Sequence, residues 1–213
     1  MNHPSVFPIN QDSLNIAANI LLEGGVVCMP TDTFYGLAAI ATNETAVEKI
    51  FNIKQRPANT PLPIFIEKPE DLINLSTQTI SEDIRKITDT FWPGALTIIV
   101  KKSNKIPTIT VAGLESAGFR VPNHEVPIQL CKITKSPITG TSANISGKQP
   151  ARSIEEAIDQ FNKFLPDLFL DGGELHSDLA STIVDFTTIP HNILREGAVS
   201  PDEITAILNE GKS

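Results

Sequence analysis

DSLNIAANILLEGGVVCMP, residues 12–30, decides how the fold is read. Leu14, Ala17, Ala18 and Leu21 recur at helical spacing, so Asp12 to Glu23 is predicted to be a helix with one apolar face. Gly24-Gly25 closes it, because glycine tolerates the backbone found at helix ends. Val26 to Met29 follows as a short apolar strand, and Pro30 stops it. A helix running into a strand across a glycine pair is half of an α/β unit, and the rest of the chain repeats the alternation.

Glu44 to Ile53, Ser81 to Phe91 and Glu125 to Ile133 are predicted helices, with a shorter one over Pro69 to Leu75 and a last one over Pro201 to Leu208. Leu62 to Ile66, Leu96 to Val100, Pro137 to Gly140, Leu168 to Leu170, Ser181 to Asp185 and Ile193 to Leu194 are predicted to be extended. Ser153 is expected to cap a further helix, with Glu156 three residues on completing a capping box. Gly172 to Leu179 reads as a flexible loop. Strands alternating with helices indicate α/β, and with no internal repeat or low-complexity linker one domain over residues 1–213 is the expectation.

Bulk properties narrow the function. A chain of 213 residues that is 40% apolar and 20% charged can bury a sizeable core and reads as globular. No apolar run approaches a membrane span, and the opening MNHPSVFPINQD has neither the basic nor the apolar region of a secretory signal, so a cytoplasmic protein is expected. Cys28 and Cys131 lie too far apart to suggest a disulfide framework, and the four histidines show no metal-ligand spacing. Net charge is −8, from 17 basic and 25 acidic residues, with no basic run longer than Lys101-Lys102. That balance argues against coating nucleic acid and suits a small anion held in one locally positive pocket. Neither a phosphate-binding P-loop nor a dinucleotide-binding glycine fingerprint is present, and no serine or cysteine nucleophile signature appears. Any catalysis is therefore expected to work by positioning and electrostatics.

Four polar clusters sit where strands end. In MPTDTFYGL, Thr31, Asp32 and Thr33 follow a strand at the edge where open α/β sheets hold ligands, although such threonines also serve simply as turn residues. In IFNIKQRP, Lys54 and Arg56 lie two apart before Pro57; an extended segment would point both to one side, as a phosphate clamp or as a pair of surface cations. In TSANISG, Thr141, Ser142 and Asn144 offer hydroxyls, an amide and backbone N–H groups, the makings of an anion cradle or of a structural turn. Arg120 in FRVP, Ser181 in STIVDF and Arg195 in ILREG complete the candidates, each equally at home on a surface. Trp92 in FWPGALTIIV reads as a ring packed over a tight turn.

In order, GGVVCMPTDTFYGL, IFNIKQRP, FWPGALTIIV, FRVP, TSANISG, DGG, STIVDF and ILREGAVS span residues 24 to about 200, and together they resemble the threonylcarbamoyl-AMP synthases of the Sua5/YrdC/YwlC family. The resemblance implies a twisted mixed sheet flanked by helices around a large positive central cavity. It implies a nucleotidyltransferase that makes L-threonylcarbamoyladenylate and diphosphate from L-threonine, bicarbonate (as CO2) and ATP. The product serves N6-threonylcarbamoylation of adenosine 37 in tRNA, through downstream transfer proteins. Carried over by position, Thr33, Arg120, Thr141 and Ser181 would hold threonine, while Lys54, Arg56, Thr60, Ser142, Asn144 and Arg195 would handle ATP, with magnesium on its phosphates. Lys54, Arg56, Ser142 and Asn144 would carry the catalysis.

The chain departs from the family pattern at Phe65, where relatives often have histidine, and at Thr141, where many have proline; a C-terminal extension carried by longer members is expected to be absent. Two other readings stay open from the sequence: a non-catalytic protein of this fold that binds double-stranded RNA or tRNA, and a paralogue that forms carbamoyl-adenylate.

Overall fold

The computed structural model describes residues 5–161 and 164–210. His3 and the first residues of the N-terminal stretch lie outside them. Among the described residues the strands form two mixed sheets. One runs in the order β1 (Val6–Pro8), β9 (Leu168–Asp171), β2 (Val27–Met29), β3 (Gly36–Ala38), β8 (Thr141–Ser142). The other runs β11 (Asn192–Arg195), β10 (Thr182–Asp185), β5 (Leu96–Lys101), β6 (Ser116–Arg120), β4 (Ile64–Phe65), β7 (Ile138–Thr139). The α/β class is as expected, and the sheet is divided into two.

The reason lies in side-chain alternation. Val27 and Met29 of β2, with Leu168 and Leu170 of β9, pack with Leu14, Ala17, Ala18 and Leu21 of α1 (Gln11–Leu22) and with Leu130 of α5 (Glu125–Thr134). Cys28 and Phe169 point to the other face, against Val47 and Ile50 of α2 (Glu44–Lys54) and Ala157 of α6 (Ile154–Gln160). A strand buried on both faces reads as a continuous apolar run, which is what residues 26–29 are. The six-stranded sheet packs Leu96, Ile98 and Phe119 with Ile84 and Ile87 of α4 (Glu82–Phe91) and Ile204 of α7 (Pro201–Asn209). Leu72 and Leu75 of the short α3 (Leu72–Leu75), which follows a 3-10 turn over Pro69–Asp71, join the same core.

Helix starts follow their caps. Asn10, Asn43, Ser81, Ser153 and Ser200 each accept from the N–H three residues on. The capping box expected at Ser153 does not close on itself: the Glu156 carboxylate accepts from the Arg152 N–H at 2.8 Å, one residue too early. The reciprocal box forms at Ser200, whose N–H donates to Glu203 at 2.9 Å. Trp92 is structural as read, its indole N–H donating to the Leu96 carbonyl at 2.7 Å.

The sheets meet where the chain passes from β7 to β8. Thr139 N–H donates to Ala39 O at 2.8 Å, Ile40 bridges Ile138, and Gly140 alone separates the two strands. A Cβ at Gly140 would lie 2.3–2.5 Å from three atoms of the buried Phe65 ring. Gly140→Ala is therefore expected to cost about 1–3 kcal/mol in chemical denaturation through overpacking. Gly147→Ala meets no atom within 4 Å but sits at φ +85°, so it should cost about 1–2 kcal/mol through backbone strain alone. Only the first should disturb the crossing; if near-ultraviolet circular dichroism changes equally in both, the account of Gly140 is wrong.

Candidate active site

A cavity of about 200 Å³ opens at this crossing, between the two sheets. Its polar lining includes Thr33, Arg120, Thr141 and Ser181 from the residues expected to hold threonine and Arg56, Ser142 and Arg195 from those expected to handle ATP. Residues far apart in sequence are thus gathered around one hollow. Lys54, Thr60 and Asn144 stand outside the lining.

Each wall has a local cause. After β2 the Thr31 hydroxyl donates to Phe34 O at 2.7 Å and receives the Thr33 N–H at 3.1 Å, a side-chain turn that brings Thr33 to the cavity. Tyr35, which the sequence reading passed over, ties three segments together. Its hydroxyl donates to Gly173 O at 2.8 Å and accepts from Gly172 N–H at 2.9 Å, and its carbonyl receives the Ala143 N–H at 2.7 Å. The DGG loop is anchored at its start by this phenol.

Lys54 and Arg56 do not lie side by side on an extended segment. Helix α2 continues through Lys54, and Gln55 ends it in the left-handed region at φ 49°. The bias before proline acts on Arg56 alone, after the chain has turned. Lys54 therefore stays on the helix's inner side, 1% exposed, while Arg56 emerges at the cavity. The Lys54 ammonium donates to the carbonyls of Ser142 and of Asn144, the latter at 2.8 Å, and to Asn144 Oδ1 at 3.3 Å. Burial, and then the Arg56 guanidinium, push it down to about 7.

The three cavity arginines are held alike. Arg56 Nε donates to Thr60 O at 3.0 Å, Arg120 Nε to Gly94 O at 2.8 Å, and Arg195 Nε to Ser181 O at 2.9 Å. Each guanidinium is anchored by its inner nitrogen to a backbone carbonyl. Burial pushes all three below the ordinary arginine value, and an arginine keeps its charge regardless. Arg120, 3% exposed, has one carboxylate partner. Its Nη2 lies 2.6 Å from both oxygens of Asp32, the aligned bond being the one to Oδ2. The Phe65 ring lies beneath it, 5.6 Å from Cζ. An aromatic ring thus supports the guanidinium from that side. Arg195 Nη2 donates to Ser181 Oγ at 3.0 Å, and that hydroxyl shares a proton with Thr97 Oγ1 at 2.9 Å. Asp32 and Thr97 are further members of the site. Asp32 was visible within the TDT run, whereas nothing in the β5 pattern distinguishes Thr97 from a strand threonine.

Such a hollow, with three fixed guanidinium groups, hydroxyls around them and one engaged carboxylate, can neutralise several negative charges at once and hold a carboxylate beside a phosphate chain.

Comparison with known proteins agrees with the geometry. Residues 19–197 match the Sua5/YciO/YrdC family, described as telomere recombination. The chain is 37% identical to the threonylcarbamoyl-AMP synthase of Pyrococcus abyssi over 95% of its own length and 59% of that protein's. It is 33% identical to the Bacillus subtilis enzyme of the same name, over 93% of this chain and 57% of that one. The crystal structure of P. abyssi Sua5 complexed with L-threonine superposes with a TM-score of 0.91 at 36% identity, covering 98% of this chain and 62% of that one. The chain spans less than two thirds of the length of these relatives. It belongs to the Sua5/YciO/YrdC family.

The buried lysine gives a pH dependence with a defined sign. Unfolded, Lys54 stays protonated to about pH 10.4. Folded, it releases its proton near 7, so between these values the unfolded state binds more protons and stability rises with pH. The stability of wild type minus that of Lys54→Met should therefore increase between pH 7 and about pH 9.5 by denaturant titration. A flat difference would contradict the assignment.

Proposed function

We propose that this member of the family makes L-threonylcarbamoyladenylate and diphosphate from L-threonine, CO2 supplied as bicarbonate, and ATP, for N6-threonylcarbamoylation of adenosine 37 in tRNA. The observation that carries the reading is the placement of Arg56, Arg120 and Arg195 around one cavity with the hydroxyls of Thr33, Thr141, Ser142 and Ser181. The names of the relatives and the threonine-bound P. abyssi structure support it.

In this reading Arg120 takes the threonine carboxylate. Its inner nitrogen is on Gly94 and one outer nitrogen is on Asp32, so the ligand meets the remaining N–H edge of a group already fixed in place. Thr33, Thr141 and Ser181 surround the amino acid. The threonine ammonium gives one proton to solvent, and the free amine attacks the carbon of CO2 and releases a second proton to solvent as the carbamate forms. A carbamate oxygen then attacks the α-phosphorus of ATP as the bond to the diphosphate oxygen breaks. Arg56, Arg195 and Ser142 receive the phosphates and offset the charge on the departing diphosphate. Adenylyl transfer needs alignment and neutralisation rather than a protein nucleophile, which suits a site of cations and hydroxyls.

Among the described residues no group of three or more His, Cys, Asp or Glu is placed to hold a metal. The cavity lining itself offers no carboxylate to a metal, so a magnesium ion would be held by the phosphates of ATP and by water, where it would neutralise phosphate charge.

Threonine-dependent exchange of labelled diphosphate into ATP tests the reading directly, and its absence in the folded wild-type protein would sink it. Arg56→Ala should lower the exchange rate about a hundredfold, equivalent to about 3 kcal/mol of lost charge stabilisation. Its melting temperature should stay close to wild type; full activity in that variant would remove Arg56 from the chemistry.

A further inference from the structure

We propose that Lys54 is a positioning residue, which acts by pegging the Ser142–Asn144 turn to the end of α2 and does not touch the nucleotide. The inference rests on the functional reading above only for what the turn is used for; the peg itself is geometry.

An ammonium has three N–H donors. Lys54 has three acceptors around it, the carbonyls of Ser142 and Asn144 and the side-chain oxygen of Asn144, so a phosphate oxygen would have to displace one of them. The side chain is buried and outside the cavity lining. The main chain of the same residue holds the loop as well, because Lys54 O accepts the Ser146 N–H at 2.8 Å. Residues 142–146 are thus gripped at three points by one residue of α2.

The grip is passed on. Asn144 Nδ2 donates to Ile145 O at 2.9 Å and Lys148 O at 2.8 Å, while its Oδ1 receives the Ser142 hydroxyl at 2.5 Å as well as the lysine. Ser142 lines the cavity; Asn144 orients Ser142, and Lys54 orients Asn144. Carbonyl oxygens take up the donors of this buried group, an arrangement that suits a structural peg better than an open phosphate ligand.

Hydrogen exchange on the full chain without nucleotide separates the two roles, since a phosphate ligand has no task in the free protein. In Lys54→Met the amides of Asn144, Ser146 and Lys148 should exchange roughly tenfold or more faster than in wild type, with α1 unchanged. Unchanged protection of those amides overturns the proposal, whatever happens to activity. If Lys54→Met does not fold, Lys54→Gln, whose amide can still reach one carbonyl, is read by the same criterion. Should wild type lack threonine-dependent exchange, the functional reading fails while this comparison still decides the role of Lys54.

Discussion

The site depends on the chain changing sheets within five residues. β7 pairs with β4 in one sheet, β8 pairs with β3 in the other, and Gly140 is the only residue between them. Its N–H is satisfied by Pro63 O at 2.8 Å, and its missing side chain is the space that the Phe65 ring occupies. Two sheets that diverge at such a crossing leave a wedge between them. Phe65 and Arg120 enter that wedge from the six-stranded sheet, Thr33 enters from the loop after β2, and Thr141 and Ser142 form its edge.

A wedge alone is not a binding site; charge makes it one. The chain carries a net −8, yet three arginines line this hollow. Burial takes water away from a charged group, and each of the three is pushed down for that reason, Arg120 slightly further by Arg195. The fold answers with backbone carbonyls on every Nε and a single carboxylate, Asp32, on Arg120. The guanidinium groups are consequently oriented in the free protein, so little reorganisation would be needed for an anion to bind. Lys54 stands behind this set, and the five-stranded sheet gains its last strand from the turn that Lys54 braces.

Much of the architecture was legible because it rests on periodicity. Helices α1, α2, α4, α5 and α7 appear within a residue or two of their predicted bounds, since their apolar faces and caps are local signals. Strands β1, β3, β6 and β8 were not read as strands. β6 is Ser-Ala-Gly-Phe-Arg, with little intrinsic strand preference, and becomes extended because β5 and β4 flank it. β8 is two residues long and exists through its pairing with β3. Tyr35 was overlooked for a related reason: its phenol bonds lie 137 and 138 residues away along the chain.

Residue chemistry and family resemblance, both properties of the sequence alone, determined the α/β class, the family and which segments meet. The chain's own path through space decided which way those segments face. A lysine and an arginine two apart look equivalent on paper. One more residue of helix and a left-handed Gln55 send the first into the interior and the second to the cavity. Direction is set by where a helix stops and by what long-range partners wait there, and neither is written in the local spacing of charges.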